Sequence, residues 1–483
     1  RTNVEPLSSL DLNSEVQYRL SRHLESVVRG DETVLTSPIV QSHSPDYLLK
    51  EWDKVFSSTN KFMSVDLQDL EASNRSKFGP RSIAIPWKDR RGSVFDYFSG
   101  ESSRLVGLVD SLKSNRGLAL HRLRPLSVES AAYFLKNNTN SGLPFFTRKG
   151  TVKDNYSENY QELLDLKIRK DPCIMFTRTQ ESLKTRTVWG YPIADTLSEM
   201  RYYRVLFDYQ KRLSWRSALC GPDTTNRKIT DIVSRALSSN QKLLSLDFSS
   251  YDSTVKSSLQ KVSFDYIKDL FQPHCSDELD AIALRFNSIG LVTPDGIITG
   301  EHGVPSGSTF TNEVDSISQY LIAKSLGIMD DQLDIQGDDG AYSVSDPDAL
   351  KEAFRSFGLN VNDEKSFVRS GSLVYLQNLY DIKHIKNKLI GGIYPTYRAL
   401  NRIIYLERFN DFQKDEINGK DYFSIRTIAI LENCKHHPLF VDFVKFIYKF
   451  DKYKLHYSEN GLNNYIKRIV KSKGSEGIIL NQY

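Results

Sequence analysis

The chain has 483 residues, 39% of them hydrophobic and 26% charged, which is too long for one ordinary core and leads us to expect two or three subdomains. Its 25 Tyr and 25 Phe exclude a disordered or fibrous protein, and no apolar run approaches the about 20 residues of a membrane span. The net charge of +4 is modest for a nucleic-acid protein but uneven: from Asp381 onward 18 Lys and Arg face 11 Asp and Glu, a surplus that serves either as a solvated face or as a phosphate contact.

The four cysteines (Cys173, Cys220, Cys275, Cys434) are scattered without zinc spacing, which fits a reducing compartment. No secretory leader is visible, although the chain opens on Arg1 rather than Met.

In chain order, residues 1–140 are expected to be helical and irregular, with an amphipathic helix over 46–56 that turns Tyr47, Leu48, Trp52 and Phe56 inward. Asn140-Ser-Gly-Leu-Pro-Phe-Phe-Thr-Arg-Lys-Gly150 reads as a turn-rich loop ending in adjacent cations. Next, Lys184 and Arg186 stand two apart, so on an extended segment both face one way. Such a pair suits a triphosphate, with Lys as a point charge and Arg as a fork; Arg178 is a third candidate. A basic edge strand that only resists aggregation would look the same. Residues 195–240 are helix-rich.

The apolar strand from Leu243 to Leu246 runs into Asp247, and Asp252 follows five positions later. A strand that ends on a carboxylate exposes it at the sheet's edge, although an aspartate capping the next helix is equally compatible. Gly303-Val-Pro-Ser-Gly-Ser-Thr-Phe-Thr-Asn-Glu-Val-Asp-Ser316 is a Gly- and Ser-rich loop feeding a helix with Val314, Ile317, Tyr320 and Leu321 on one side. Residues 332–345 read as a β-hairpin, two alternating arms around Gly337-Asp338-Asp339-Gly340. Two adjacent carboxylates at a hairpin tip repel each other, and a hard divalent cation such as Mg²⁺ or Mn²⁺ would relieve them. Beyond it, residues 348–357 predict a helix and 374–379 a strand. Phe443, Phe446, Ile447 and Phe450 form a late helical stripe that reads as core.

The order of strand-Asp, Ser-Gly loop with helix, and Gly-Asp-Asp hairpin resembles a viral RNA-dependent RNA polymerase of the right-hand type. The segments that carry the likeness are Asp247-Phe-Ser-Ser-Tyr-Asp-Ser-Thr254, Gly303 to Ser316, and Ile335-Gln-Gly-Asp-Asp-Gly-Ala-Tyr342. They are most similar to the polymerases of picobirnaviruses, then of partitiviruses, and the recognisable motifs span about 141–380.

The resemblance implies an α+β fold with palm, fingers and thumb, closed around a central channel. It divides the chain into an N-terminal extension and fingers (1–140), fingers with template and nucleotide access motifs (141–242), palm (243–261), a fingers insertion (262–302), palm again (303–380), and thumb with a C-terminal segment (381–483). Asp247, Asp338 and Asp339 would be catalytic and would hold two Mg²⁺ ions, or Mn²⁺, with the Phe248 carbonyl as a further ligand and Lys365 as general acid. Arg178, Lys184 and Arg186 would roof the triphosphate. Ser141, Gly142, Arg148, Lys149 and Gly307 would guide the template.

Ribose selection would rest on Asp252, Ser306, Thr311 and Asp315. The family's asparagine, nine positions after the serine, is Asp315 here, with Asn312 in another register. Four residues separate Thr311 from Asp315, which puts both on one helical face and favours Asp315. Implied partners are template and nascent RNA, ribonucleoside triphosphates and a viral capsid protein, with no membrane, in the virion interior and host cytoplasm. The genome is expected to be double-stranded RNA. Competing readings are a reverse transcriptase or cyclase on a related palm, and a non-catalytic RNA-binding or capsid protein.

Overall fold

The computed structural model of the protein describes residues 2–115 and 119–473; the last ten residues of the expected C-terminal segment lie outside these. In chain order the strands are β1 (Asn3–Glu5), β2 (Cys173–Thr179), β3 (Thr185–Gly190), β4 (Lys242–Ser245), β5 (Leu291–Thr293), β6 (Gly296–Thr299), β7 (Leu333–Gln336), β8 (Asp339–Val344), β9 (Phe367–Arg369), β10 (Ser372–Tyr375) and β11 (Asn378–Asp381). They form a five-stranded sheet ordered β1-β6-β5-β2-β3, a four-stranded sheet ordered β7-β8-β4-β9, and the β10–β11 pair.

The four-stranded sheet is antiparallel throughout and is covered on both faces. Successive residues of β4 point to opposite sides. Leu243 packs with Ala341 and with Ile229, Ile232 and Val233 of the helix Pro222–Ser238. Leu244, with Tyr342 and Val344, packs against the helices Thr311–Ser325 and Pro347–Ser356 through Val314, Ile317, Leu321, Leu350 and Phe354. Each such side chain removed from water contributes roughly 1.5–3 kcal/mol, so the sheet is a rigid platform for its strand ends.

The β7–β8 hairpin forms as the sequence predicts, and its two-residue turn, Gly337-Asp338, joins the Gln336–Asp339 pair. Gly337 has φ +62°, the positive value that the first turn residue needs.

Four expectations change. The alternating stretch 374–379 is a hairpin rather than one strand, because Leu376 and Gln377 both take positive φ (52° and 67°) and reverse the chain between Tyr375 and Asn378. No Gly or Asn marks that turn, and so its apolar alternation mimics a continuous strand. In the helix Pro45–Thr59, Leu48 and Trp52 are buried and Phe56 packs beside them, but Tyr47 lies outside the apolar stripe, exposed, and stacks on His43. The expected boundary at 261–262 falls inside the helix Ser257–Leu270.

The fourth change is larger. The helices Pro45–Thr59 and Val65–Ser76 share a core with the C-terminal helices Thr396–Ile404, Gly419–Glu432 and Phe440–Phe450. Trp52 donates its indole N–H to Thr396 (3.0 Å) and packs on Phe443. Buried Glu71 accepts from the Thr396 hydroxyl and from the Tyr397 N–H (3.2 Å), and lies 3.1 Å from His437. The Phe443, Phe446 and Ile447 stripe is core, as expected.

Candidate active site

Three separate segments meet at the end of the four-stranded sheet. The β4–β8 register pairs Ser245 with Ala341, and continuing it two residues brings Asp247 opposite Asp339. A third segment, 359–366, lies along the other side of Asp247. The Asn362 N–H donates to the Asp247 carbonyl (2.8 Å), the Asp247 N–H donates to the Ser366 hydroxyl (3.1 Å), and Ser249 N–H donates to Asn360 (2.9 Å). These bonds fix the backbone on both sides of Phe248 while leaving the Phe248 carbonyl out of them. The same segment carries the exposed Lys365.

The hairpin tip is held from beneath by the helix Thr311–Ser325. The Ser316 hydroxyl accepts from the Gly337 N–H (2.8 Å), and Gln319 donates to the Gly337 carbonyl (3.1 Å) and accepts from Tyr342. A Cβ at Gly340 would lie 2.1 Å from Gln319 Oε1, so any side chain there would have to displace the Gln319 amide that holds the tip. The strained Leu376-Gln377 turn is used at the site: the Leu376 N–H donates to Asp339 Oδ2 (2.8 Å).

The electrostatics show the convergence. Desolvation raises the Asp247 carboxyl, opposed by the Lys365, Lys184 and Lys77 charges. Solvent reaches Asp338 at the tip, yet enough protein surrounds it that desolvation, then Asp252, raises its carboxyl. Asp339 is pushed up to about 8 by desolvation and by Asp338. Clustered carboxylates, with Asp338 and Asp247 raising Asp339, are hard oxygen donors whose repulsion a divalent cation would relieve, so the donor set fits a metal. Among the described residues no three acidic, His or Cys groups already form a metal cage.

Facing them is the β2–β3 hairpin. Lys184 and Arg186 are both exposed, with less exposed Thr185 between them, as a common orientation requires. Desolvation, then the Arg186 and Lys365 charges, lower the Lys184 ammonium, while Asp247 and Asp338 raise it, so it lies between cations and carboxylates. Buried Arg90 braces the hairpin through Thr177 (2.6 Å) and Thr187 (3.1 Å). Arg178 departs from the pair and bonds Glu407 of the C-terminal region at 3.2 Å.

At the Ser-Gly loop, Ser306 donates to Asp252, and Tyr97 Oη lies 3.4 Å from Ser306 Oγ. Thr311 is spent inside the loop, accepting from the Gly307 N–H (3.4 Å) and donating to the Pro305 carbonyl (2.9 Å). Asp315 is buried with its carboxyl against Asp252, whereas Asn312 reaches the hairpin tip beside Gly337. Gly307 lies on β3, where a Cβ would meet the Trp189 carbonyl at 2.0 Å.

The residues expected to guide the template divide. Ser141 and Gly142 are buried in their own loop, Ser141 bonded to Thr147 and Gly142 pressed on the Tyr191 backbone. Lys149 bonds Thr139 (2.9 Å), and desolvation pulls it down to about 8. Arg148 is exposed.

Sequence reasoning missed three residues. Lys77 comes within the field of Asp247 and Lys365 from the N-terminal helices. Tyr97 joins Ser306. Glu199, in the helix Ile193–Gln210, is buried and accepts from Ser308 (2.7 Å) and from the Thr309 N–H (3.2 Å) and hydroxyl (3.1 Å), so it fixes the Ser-Gly loop. Each stands alone in ordinary surroundings, with no local signal to find it.

Residues 109–416 match the family model described as viral RNA-dependent RNA polymerase. A "potential RNA-dependent RNA polymerase" of a human picobirnavirus (strain Human/Thailand/Hy005102/-) is 26% identical over 469 residues, covering 90% of this chain and 86% of that one. An "RNA-directed RNA polymerase" of Cryptosporidium parvum virus 1 is 26% identical over 275 residues, covering 50% of this chain and 52% of that one. Among solved structures, the RNA-dependent RNA polymerase of a human picobirnavirus superposes with TM-score 0.78 at 22% identity, covering 99% of this chain and 95% of that one. Its insertion-loop deletion mutant gives 0.79 at 23% identity, with 96% of each chain covered. These likenesses establish the fold. Among the described residues no helix is long and apolar enough to cross a membrane.

Proposed function

The chain belongs to the viral RNA-dependent RNA polymerase family, and from that premise we propose how its residues copy RNA. It is an RNA-directed RNA polymerase. The observation that carries the mechanism is that Asp247, from the end of β4, and Asp338, from the β7–β8 tip, share one electrostatic field beneath Lys184 and Lys365.

Asp247 and Asp338 would hold two Mg²⁺ or Mn²⁺ ions, with Asp339 behind them and the Phe248 carbonyl as a further ligand. When bound, such ions stabilise charge on the attacking and leaving oxygens of nucleotidyl transfer. Lys184 and Arg186 bind and orient the triphosphate, and Lys365 donates a proton to departing pyrophosphate. Asp252, Ser306 and Asp315 select ribose by its 2′-hydroxyl. Arg178 acts instead as a tether between the roof and the C-terminal region. Arg148 is the template-loop cation left free to meet phosphate.

In this reading the four-stranded sheet is the palm, the five-stranded sheet belongs to the fingers, and the helices from Thr396 onward form the thumb, closed on the roof by Arg178–Glu407 and Glu181–Arg398. The template is a double-stranded RNA genome, replicated and transcribed within a capsid and in the host cytoplasm. The test is labelled-nucleotide incorporation on an RNA template, with and without Mg²⁺, comparing rNTPs with dNTPs. Ribonucleotide incorporation that needs the metal supports the mechanism. Equal use of dNTPs would overturn the ribose assignment, and metal-independent synthesis the metal assignment.

A further inference from the structure

Three consecutive residues of the β10–β11 hairpin donate hydrogen bonds to three different strands of the four-stranded sheet. The Val374 N–H donates to Ser245 Oγ at the end of β4 (2.8 Å). The Tyr375 hydroxyl donates to Asp334 Oδ2 in β7 (2.8 Å), and the Leu376 N–H to Asp339 Oδ2 in β8 (2.8 Å). Backbone groups of an antiparallel strand alternate between its two sides, and the N–H groups of Val374 and Leu376, two apart, both point away from β11. The Tyr375 ring lies on the sheet face that packs on the helix Pro222–Ser238. The strands stapled in this way are the ones whose ends gather Asp247, Asp338 and Asp339.

The middle bond is the anchored one. Tyr375 and Asp334 are both fully buried. Asp334 also accepts from the Ser217 hydroxyl (2.7 Å) and N–H (3.2 Å) in the short helix Ser214–Cys220. The preceding residue, buried Arg216, pairs with buried Glu313 of the helix Thr311–Ser325 and donates to Gln336 at the base of the tip (3.0 Å). A buried carboxylate can only accept hydrogen bonds and is costly to leave unmet, so three converging donors set the place of Asp334 closely. The turn above it has the opposite character. Leu376 and Gln377 hold left-handed conformations (φ 52° and 67°), which L-residues keep only where their surroundings impose them.

We propose that Asp334 and Tyr375 are positioning residues for nucleotidyl transfer. Their bond pins the β10–β11 turn across β4, β7 and β8, and the turn in its place fixes Asp339 relative to Asp247. Neither residue touches substrate; both act through the Leu376 N–H. The proposal rests on the reading above of these carboxylates as the reacting centre. A displacement of about 1 Å at such a centre costs roughly a hundredfold in rate, so a bond that holds its frame has a large effect from a distance.

Tyr375→Phe keeps the buried ring and removes only the donor. In single-nucleotide kinetics on the full chain, kcat should fall roughly ten- to a hundredfold, while nucleotide KM, set by the roof, stays at the wild-type value. In the free protein without divalent ions, the Leu376 amide should exchange with solvent deuterium roughly tenfold faster than in wild type. Tyr202→Phe is the control: it removes another buried tyrosine hydroxyl from a carboxylate, Glu278 (2.6 Å), in a different core cluster, and should change neither reading. A wild-type kcat in Tyr375→Phe, an equal loss in Tyr202→Phe, or a raised KM with unchanged kcat would each overturn the proposal. So would unprotected exchange of the Leu376 amide in the wild type, a measurement that needs no variant to fold. Failure of the carboxylate reading itself is distinct, since it would appear as near-normal turnover in Asp338→Asn.

Discussion

At the scale of single residues, the site gathers charges that would repel one another in isolation. Asp338→Asn removes one of the two separated carboxylates, and we expect incorporation to fall by roughly a hundredfold or more while the fold persists, because nothing nearby replaces the lost electrostatic stabilisation. Steady-state incorporation and circular dichroism on the purified variant decide it, and near-normal turnover would refute the metal assignment. Lys184→Ala should raise KM for nucleotide by roughly ten- to a hundredfold, the worth of one charged phosphate contact; an unchanged KM would remove Lys184 from the roof. Glu199 gives a pH prediction. Burial raises its carboxyl to about 7 from the ordinary 4.5. Between those values the unfolded chain has released the proton and the native chain keeps it, so stability falls as pH rises and stays lower above 7. Glu199→Gln has no such proton. Its melting temperature minus that of wild type should therefore increase from pH 5 to pH 8, and a constant difference would show that Glu199 is ionised throughout.

At the scale of elements, the clustered carboxylates depend in part on a turn whose conformation is imposed from outside. Gln377 is exposed with φ +67°, beside Leu376, whose N–H holds Asp339. A left-handed conformation costs an L-residue about 1–2 kcal/mol, partly offset on mutation by the chain entropy of glycine, about 0.5–1 kcal/mol. Gln377→Gly should thus raise stability by up to about 1 kcal/mol, read as a higher urea midpoint; a lower midpoint would mean the side chain has an unrecognised role. The same hairpin shows where sequence reading reaches its limit. The β7–β8 turn was legible because Gly337 supplies the positive φ its backbone demands and Asp338 is an ordinary turn residue. The β10–β11 turn was not, because Leu376 and Gln377 are forced into theirs by tertiary contacts. Likewise Asp247 was legible as a carboxylate at a strand end, whereas the pairing of Asp252 with Ser306 followed from the resemblance of their segments and is seen here as a hydrogen bond. Glu199 and Tyr97 gave no sign, since what makes them matter is a partner about a hundred or more residues away.

At the scale of the whole molecule, the C-terminal helices are held by two kinds of contact, one to the roof and one to the N-terminal helices. On the roof side, Arg178 pairs with Glu407 (3.2 Å) and Glu181 with Arg398 (3.4 Å). Arg178 is largely exposed, and an exposed pair of this kind contributes about 0–1 kcal/mol. On the other side, Trp52 is fully buried against Phe443 and Phe446 and bonded to Thr396. Emptying such a site costs about 3–5 kcal/mol. The N-terminal helix is therefore the stronger tie, and the C-terminal helices depend for their stability on residues some 350 positions earlier in the chain. Trp52→Ala should speed amide exchange in the helices Thr396–Ile404 and Phe440–Phe450 more than in the β7–β8 hairpin, whose core is separate. Arg178→Ala should leave exchange in those helices nearly unchanged. Equal loss of protection everywhere would mean that the clusters unfold as one unit, and unchanged exchange in Phe440–Phe450 would show that the C-terminal helices stand without the N-terminal ones.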